Sequence, residues 1–193
     1  MKLLTKYALF LTVAASMFGA QVPRQAPEFD FVDANGKHTL MSSYKGKVVL
    51  IQFLLTTCPH CQAMSQMLTK MEGELGPKGF QAVGVAYNDA TPDMVRAYSA
   101  QYAKGFPIAY APPQTIRNFI EASVMDRLMF PHVVVVDKKG VVRAESKIEG
   151  SPELQEETSL RTLINSLLAE GAGSTSSSKA APKKAPAVAS ATK

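Results

Sequence analysis

The sequence predicts an α/β domain in which a central mixed β-sheet is flanked by helices, and two patterns carry that expectation. Unbroken aliphatic and β-branched runs at Lys47 to Leu55, Phe80 to Tyr87 and Pro131 to Val136 have the length of strands and are too continuous for a sheet with one wet face. Between and after them, apolar residues recur at helical spacing: Met64, Met67, Leu68, Met71 and Leu75 in one segment, then Leu160, Leu163, Ile164, Leu167 and Leu168 in another.

The ends of the chain differ from its middle. Met1 to Ala20 places Lys2 and Lys6 ahead of an apolar stretch and contains no acid, the pattern of a secretory signal peptide. That stretch is shorter than the roughly 20 residues of a spanning helix, and a retained membrane anchor is the other reading. Residues 21–25 read as linker and 26–170 as one domain. Residues 171–193 contain only Gly, Ala, Ser, Thr, Pro, Val and Lys, which form no core and read as a disordered tail. The net charge of +5 belongs to these ends, because seven of the 21 basic residues lie outside 26–170. Removing them leaves 14 basic against 16 acidic residues. Nucleic-acid binding thereby loses its electrostatic support.

Within the domain, Glu28 to Val32 alternates like a strand, and Asp33-Ala34-Asn35-Gly36-Lys37 supplies a turn before His38-Thr39-Leu40, which predicts an N-terminal β-hairpin. The runs at 47–55 and 80–87 flank the first helical segment, which ends at Gly76-Pro77, so they are expected to pair in parallel. Thr91 to Ala103 reads as a helix with Thr91 as cap and Pro92 at its first position. Phe106 to Tyr110 is expected as a short edge strand, and Gln114 to Leu128 as an interrupted helix. Asp137-Lys138-Lys139-Gly140 turns the third buried strand into an antiparallel partner starting at Val141. Ser151-Pro152 is expected to cap the last helix.

The chemistry concentrates at Cys58-Pro59-His60-Cys61, where the first buried strand meets its helix. Two thiols separated by two residues can close a disulfide within one helical turn and reopen it. Cys58 would stand at the helix N-terminus, where unpaired N–H groups and the macrodipole favour a thiolate, with Cys61 one turn in and more buried. Cys58 is then the nucleophile and Cys61 the resolving thiol, while Pro59 suits the first helical position and His60 adds positive charge when protonated. These are the only cysteines, so a four-thiolate zinc site is excluded. A permanent bridge closing so small a loop would be a poor staple.

The order of elements resembles the thioredoxin fold. More narrowly, Ala26-Pro27-Glu28-Phe29, the Asp33 to Gly36 turn, Tyr44-Lys45-Gly46-Lys47-Val48-Val49-Leu50 and Asp137-Lys138-Lys139-Gly140 resemble exported thiol–disulfide oxidoreductases of the TlpA/ResA type, within the AhpC/TSA-related redoxins. The resemblance implies a cis-proline facing the thiols, at Pro131, which presents a backbone edge to the substrate and keeps metals off the sulfurs. It implies disulfide exchange with cysteine-containing protein substrates, a redox partner protein that resets the pair, no cofactor, and a monomer in a periplasmic or other extracytoplasmic compartment.

Three positions depart from that pattern. Thr57 replaces the usual aromatic residue, Gln52 replaces the buried acid of thioredoxins, and Met64 replaces the glutamate of ResA-type proteins, so proton transfer at Cys61 lacks its usual carboxylate. The helix N-terminus and His60 together predict a pair more oxidising than a thioredoxin-like value of about −270 mV. Two rivals share the fold. A peroxiredoxin-like thiol peroxidase needs a threonine where Leu55 stands. A copper-handling protein would use Cys58 and Cys61 with His132 or His60. Tyr87, Asn88, Asp89 and His38 read as turn or surface residues.

Overall fold

The computed structural model describes residues 21–170; the signal peptide or anchor expected at 1–20 and the tail expected at 171–193 lie outside the described residues. The strands are β1 (Arg24–Gln25), β2 (Asp30–Asp33), β3 (His38–Leu40), β4 (Val48–Leu54), β5 (Phe80–Ala86), β6 (Ile108–Tyr110), β7 (His132–Val136) and β8 (Val141–Glu145). The helices are α1 (Pro59–Leu75), α2 (Pro92–Tyr102), α3 (Pro113–Phe119) and α4 (Glu157–Ala169). Together the strands make one mixed sheet in the order β1-β8-β7-β4-β5-β6-β2-β3.

Every residue of β4 is buried, because β4 is central and both faces of the sheet are covered. It pairs in parallel with β5, as the intervening helix requires, and antiparallel with β7. Alternation along β4 then separates two cores. Val48, Leu50 and Leu54 face Met64, Leu68 and Met71 of α1 with Tyr98, Leu160 and Ile164. Val49, Ile51 and Phe53 face Phe29, Phe31, Ile116 and Phe119 on the other side. Both hairpin turns use the same chemistry: the Asp33 carboxylate accepts from the amides of Asn35 and Lys37, and that of Asp137 from Lys139 and Val141.

Four expectations need correction. Residues 21–25 are not a free linker, because Arg24 and Gln25 pair with Val142 and Val141 of β8. The Arg24 guanidinium holds this strand down, donating to Glu145 at 2.8 Å and to the Phe119 carbonyl at 2.9 Å. Strand β6 is not an edge, since β2 pairs with its far side and carries the N-terminal hairpin beyond it.

Helix α3 stops at Phe119, with a loop in place of the rest of the expected helix. The Ala122 amide reaches back to the Arg117 carbonyl at 2.9 Å and the Glu121 amide to that of Asn118 at 3.4 Å, with Glu121 left-handed at φ 53°. This is a Schellman closure with glutamate in the place glycine usually takes. Last, Ser151 precedes a single 3-10 turn, and α4 is capped instead by Glu156, whose carboxylate accepts from the amides of Thr158 and Ser159. The Ser159 hydroxyl, donating to the same carboxylate at 2.6 Å, and then these amides hold the Glu156 carboxyl down at about 2.

Candidate active site

Strand β4 ends at Leu54, and residues 55–57 bring the chain to the N-terminus of α1. This short connection is fixed from three sides. The Asn88 side chain accepts from the Thr56 amide and donates to the Thr56 hydroxyl, each at 3.1 Å, and Gln62 donates to the Thr56 carbonyl at 3.1 Å. The Cys58 amide closes the turn on the Leu55 carbonyl at 3.0 Å.

Cys58 is the N-cap of α1, with extended backbone at φ −82° and ψ 119°, and Pro59 begins the helix. Half-buried Cys58 aims its thiol at the Phe130 carbonyl, 3.9 Å away. The peptide bond from Phe130 to Pro131 is cis, and the Phe130 ring packs on Tyr87 with centroids 4.9 Å apart. Pro131 thus follows directly on the carbonyl that faces the Cys58 thiol. Pro59 and His60 are exposed on the first turn, and Cys61 is wholly buried. Burial pushes the Cys61 thiol well above its usual range, while a backbone hydrogen bond at Leu55 pulls the other way.

Beneath Cys61 lies a buried polar chain. Gln52 donates to the Cys61 carbonyl at 2.9 Å, and its side-chain oxygen accepts from the Ser65 hydroxyl at 2.8 Å. Ser65 has spent its proton on Gln52, so the Tyr98 hydroxyl, 2.9 Å away, must be the donor to Ser65. The position of the thioredoxin acid therefore leads into neutral groups. Met64, at the position of the ResA-type glutamate, is in the core with Cys61.

His132 does not join the thiols. It pairs in register with Phe53, shares the opposite face of the sheet with that ring, and lies 3.7 Å from Glu145. This removes His132 from a copper site built on Cys58 and Cys61. Sequence reasoning missed the clamp by Asn88, the anchor from Gln62 and the Ser65–Tyr98 link. Their signal was faint: an asparagine just after a buried strand, and a serine inside an otherwise apolar helical stripe.

A thioredoxin-like sheet of this order, with a thiol pair at the head of its first long helix, is the architecture of thiol–disulfide oxidoreductases. The chain belongs to the Redoxin family, whose profile matches residues 21–164. It is 27% identical over 140 residues to the thioredoxin-like protein YneN of Bacillus subtilis (strain 168), a match spanning 72% of this chain and 79% of that protein. It is 26% identical over 137 residues to the thiol–disulfide oxidoreductase ResA of Bacillus thuringiensis subsp. konkukian (strain 97-27), spanning 71% and 76%. Among solved structures, a thiol:disulfide interchange protein of the thioredoxin family from Chlorobium tepidum TLS superposes with a TM-score of 0.64 at 26% identity, covering 76% of this chain and 97% of that one.

Proposed function

We propose that this protein is an exported thiol–disulfide oxidoreductase that exchanges disulfides with protein substrates through Cys58 and Cys61. The observation that carries this is the asymmetry of the two thiols. Cys58 stands at a helix N-terminus with its sulfur reaching a backbone carbonyl at the surface, whereas Cys61 is buried one turn below.

In the reducing direction, the Cys58 thiolate attacks one sulfur of a substrate disulfide, forming a Cys58–substrate disulfide and releasing the other substrate sulfur as thiolate. Cys61 then gives up its proton and attacks the Cys58 sulfur. That closes the Cys58–Cys61 disulfide and frees the second substrate thiolate. Oxidation of a substrate dithiol is the same sequence reversed. The groups under Cys61 are neutral, so the departing substrate thiolate is the natural acceptor of its proton. Pro131 and the Phe130 carbonyl give the substrate backbone an edge to lie against, Pro59 starts the helix, and His60 supplies charge on the exposed turn. Residues 1–20 direct the chain out of the cytoplasm, where a disulfide persists between cycles.

The test is trapping. The full chain carrying Cys61→Ser should accumulate mixed disulfides with cellular proteins that dithiothreitol releases, and Cys58→Ser should accumulate none. Equal trapping by both variants would overturn the assignment of Cys58 as nucleophile.

A further inference from the structure

We propose that the end of the domain opposite the thiols is a docking surface for an anionic lipid bilayer, built from a cluster of lysines and the cleft that two of them line. The proposal goes beyond the exchange chemistry and stands whichever thiol attacks first.

Three stretches of chain meet at this end. The Gly46 amide donates to the Lys138 carbonyl at 3.0 Å and the Val48 amide to the Gly79 carbonyl at 2.9 Å, so the connection into β4 is tied to the β7–β8 turn on one side and to the start of β5 on the other. Lys45, Lys47, Lys78, Lys138 and Lys139 are thereby gathered on one pole, all of them exposed except half-buried Lys138. Among the described residues none of the five is in an ion pair; Lys47 donates to the Gln81 side chain and Lys138 to the Leu168 carbonyl. The acids nearby are engaged elsewhere. Glu28 accepts from the Ser42 and Phe29 amides and Glu72 from the Ala82 amide, while Asp137 and Glu170 share Arg143. Residues 26–170 carry 14 basic against 16 acidic residues, so a cationic pole there reflects segregation of charge and not a surplus of it.

Two further features say what covers the pole. Lys45 and Lys139 line one cleft of about 220 Å³, together with Gln25, Tyr44 and the acids Glu28 and Asp137. A lining that mixes ammonium groups with carboxylates suits a headgroup that carries both a phosphate and hydroxyls, as phosphatidylglycerol does, because the phosphate accepts from lysine and the hydroxyls donate to carboxylate. The chain also leaves the domain at this pole, where Lys138 holds the Leu168 carbonyl and Arg143 holds Glu170 at the end of α4. Residues 171–193 then add Lys179, Lys183, Lys184 and Lys193 and no acid. Lysines within about a Debye length, roughly 8–10 Å, of an anionic leaflet each add to the attraction. Strand β4 starts at the pole and Cys58 lies beyond its other end, so its seven residues, at about 3.3 Å each, put roughly 20 Å between lysines and thiols. A docked domain turns Cys58 away from the bilayer.

The test uses the full chain with vesicles of phosphatidylcholine alone or of phosphatidylcholine mixed equally with phosphatidylglycerol. Partition onto the anionic vesicles should exceed partition onto the neutral ones about tenfold at about 0.1 M salt, and the ratio should shrink towards one at about 1 M, where the Debye length is about 3 Å. The neutral vesicles report whatever the apolar residues 1–20 contribute. In Lys45→Glu/Lys78→Glu/Lys139→Glu the ratio should fall to about one, and each single reversal should give part of that loss. The variant Lys104→Glu/Arg127→Glu/Lys147→Glu, an equal change of charge at exposed cations outside the cluster, should keep most of the ratio. Iodoacetamide should label Cys58 as fast on the vesicles as in solution. A wild-type ratio near one, a ratio unchanged in the cluster variant, equal losses in the two triple variants, or protection of Cys58 by the vesicles overturns the proposal.

Discussion

Removing one hydroxyl, in Ser65→Ala, tests whether the polar chain beneath Cys61 is a structural unit. Ser65 is fully buried and is the middle link, accepting from Tyr98 and donating to Gln52. The substitution strands two groups in a dry site, the Tyr98 hydroxyl without an acceptor and the Gln52 oxygen without a donor. An unsatisfied buried group costs about 1–3 kcal/mol. The space left by a single oxygen is smaller than the roughly 10–15 Å³ that admits a water, so solvent does not repair it. The expected loss is at least about 2 kcal/mol, a fall of roughly 4–8 °C in Tm for a domain of this size. Urea unfolding in reducing buffer measures it, with the midpoint moving and the slope unchanged. Tyr98→Phe in the same background removes one stranded group. The double variant should therefore be more stable than the two single losses added together, by about 1 kcal/mol. A Ser65→Ala cost under about 0.5 kcal/mol, or strict additivity of the pair, would refute the reasoning.

Four further outcomes follow from the same geometry. Stability should decline above about pH 8.5, the ordinary thiol value: folding raises the Cys61 thiol by burial, so the unfolded chain loses that proton first, and the loss approaches 1.4 kcal/mol per pH unit. Tyr98, also raised by burial, steepens the decline above about pH 10, and a flat urea midpoint from pH 8 to 10 would contradict this. Iodoacetamide at neutral pH should label Cys58 in the native dithiol protein and reach Cys61 only after denaturation, and peptide mapping that finds Cys61 labelled first would reverse the assignment of roles. Arg24→Met leaves the buried Glu145 carboxylate without its cation and should cost about 3–5 kcal/mol, with Glu145→Gln restoring part of it; a loss below 1 kcal/mol would mean that β1 is not held by this pair. Equilibration with glutathione should give a potential above about −270 mV that falls in His60→Ala, and an unchanged value in that variant would falsify the role given to His60.

Much of this was legible because the signals were of the strong kinds. The three buried strands announced themselves by unbroken Val and Ile runs, and α1 by a thiol pair, a proline at its first position and a methionine stripe. What escaped had no local signature. Helix α3 ends on a left-handed Glu121, and nothing in the sequence marks a glutamate as a residue that will take glycine's place. Helix α4 is capped by Glu156, a residue type outside the usual caps, while the more orthodox Ser151 stands five positions earlier and drew the assignment. Arg24 looked like linker because its value lies in Glu145, 121 residues away. Within the site, Cys58, Cys61 and Pro131 stand out in the sequence because each is an unusual residue type at a meaningful spacing, and in the fold the carbonyl before Pro131 faces Cys58. Asn88 and Ser65 are ordinary residues whose work depends on which side chain lies across from them, and that is a property of packing.

The sheet's two ends have a consequence of their own. Among the described residues its outermost strands are β1 and β3, two and three residues long, and the seven-residue ladder of β4 with β5 is interior. An unfolded polypeptide seeking a template finds room at either rim for only a couple of backbone pairs, too few to nucleate a growing cross-β stack. The sheet is thereby shielded from being recruited into the aggregate of another chain. Its rims offer a foreign backbone almost nothing to copy.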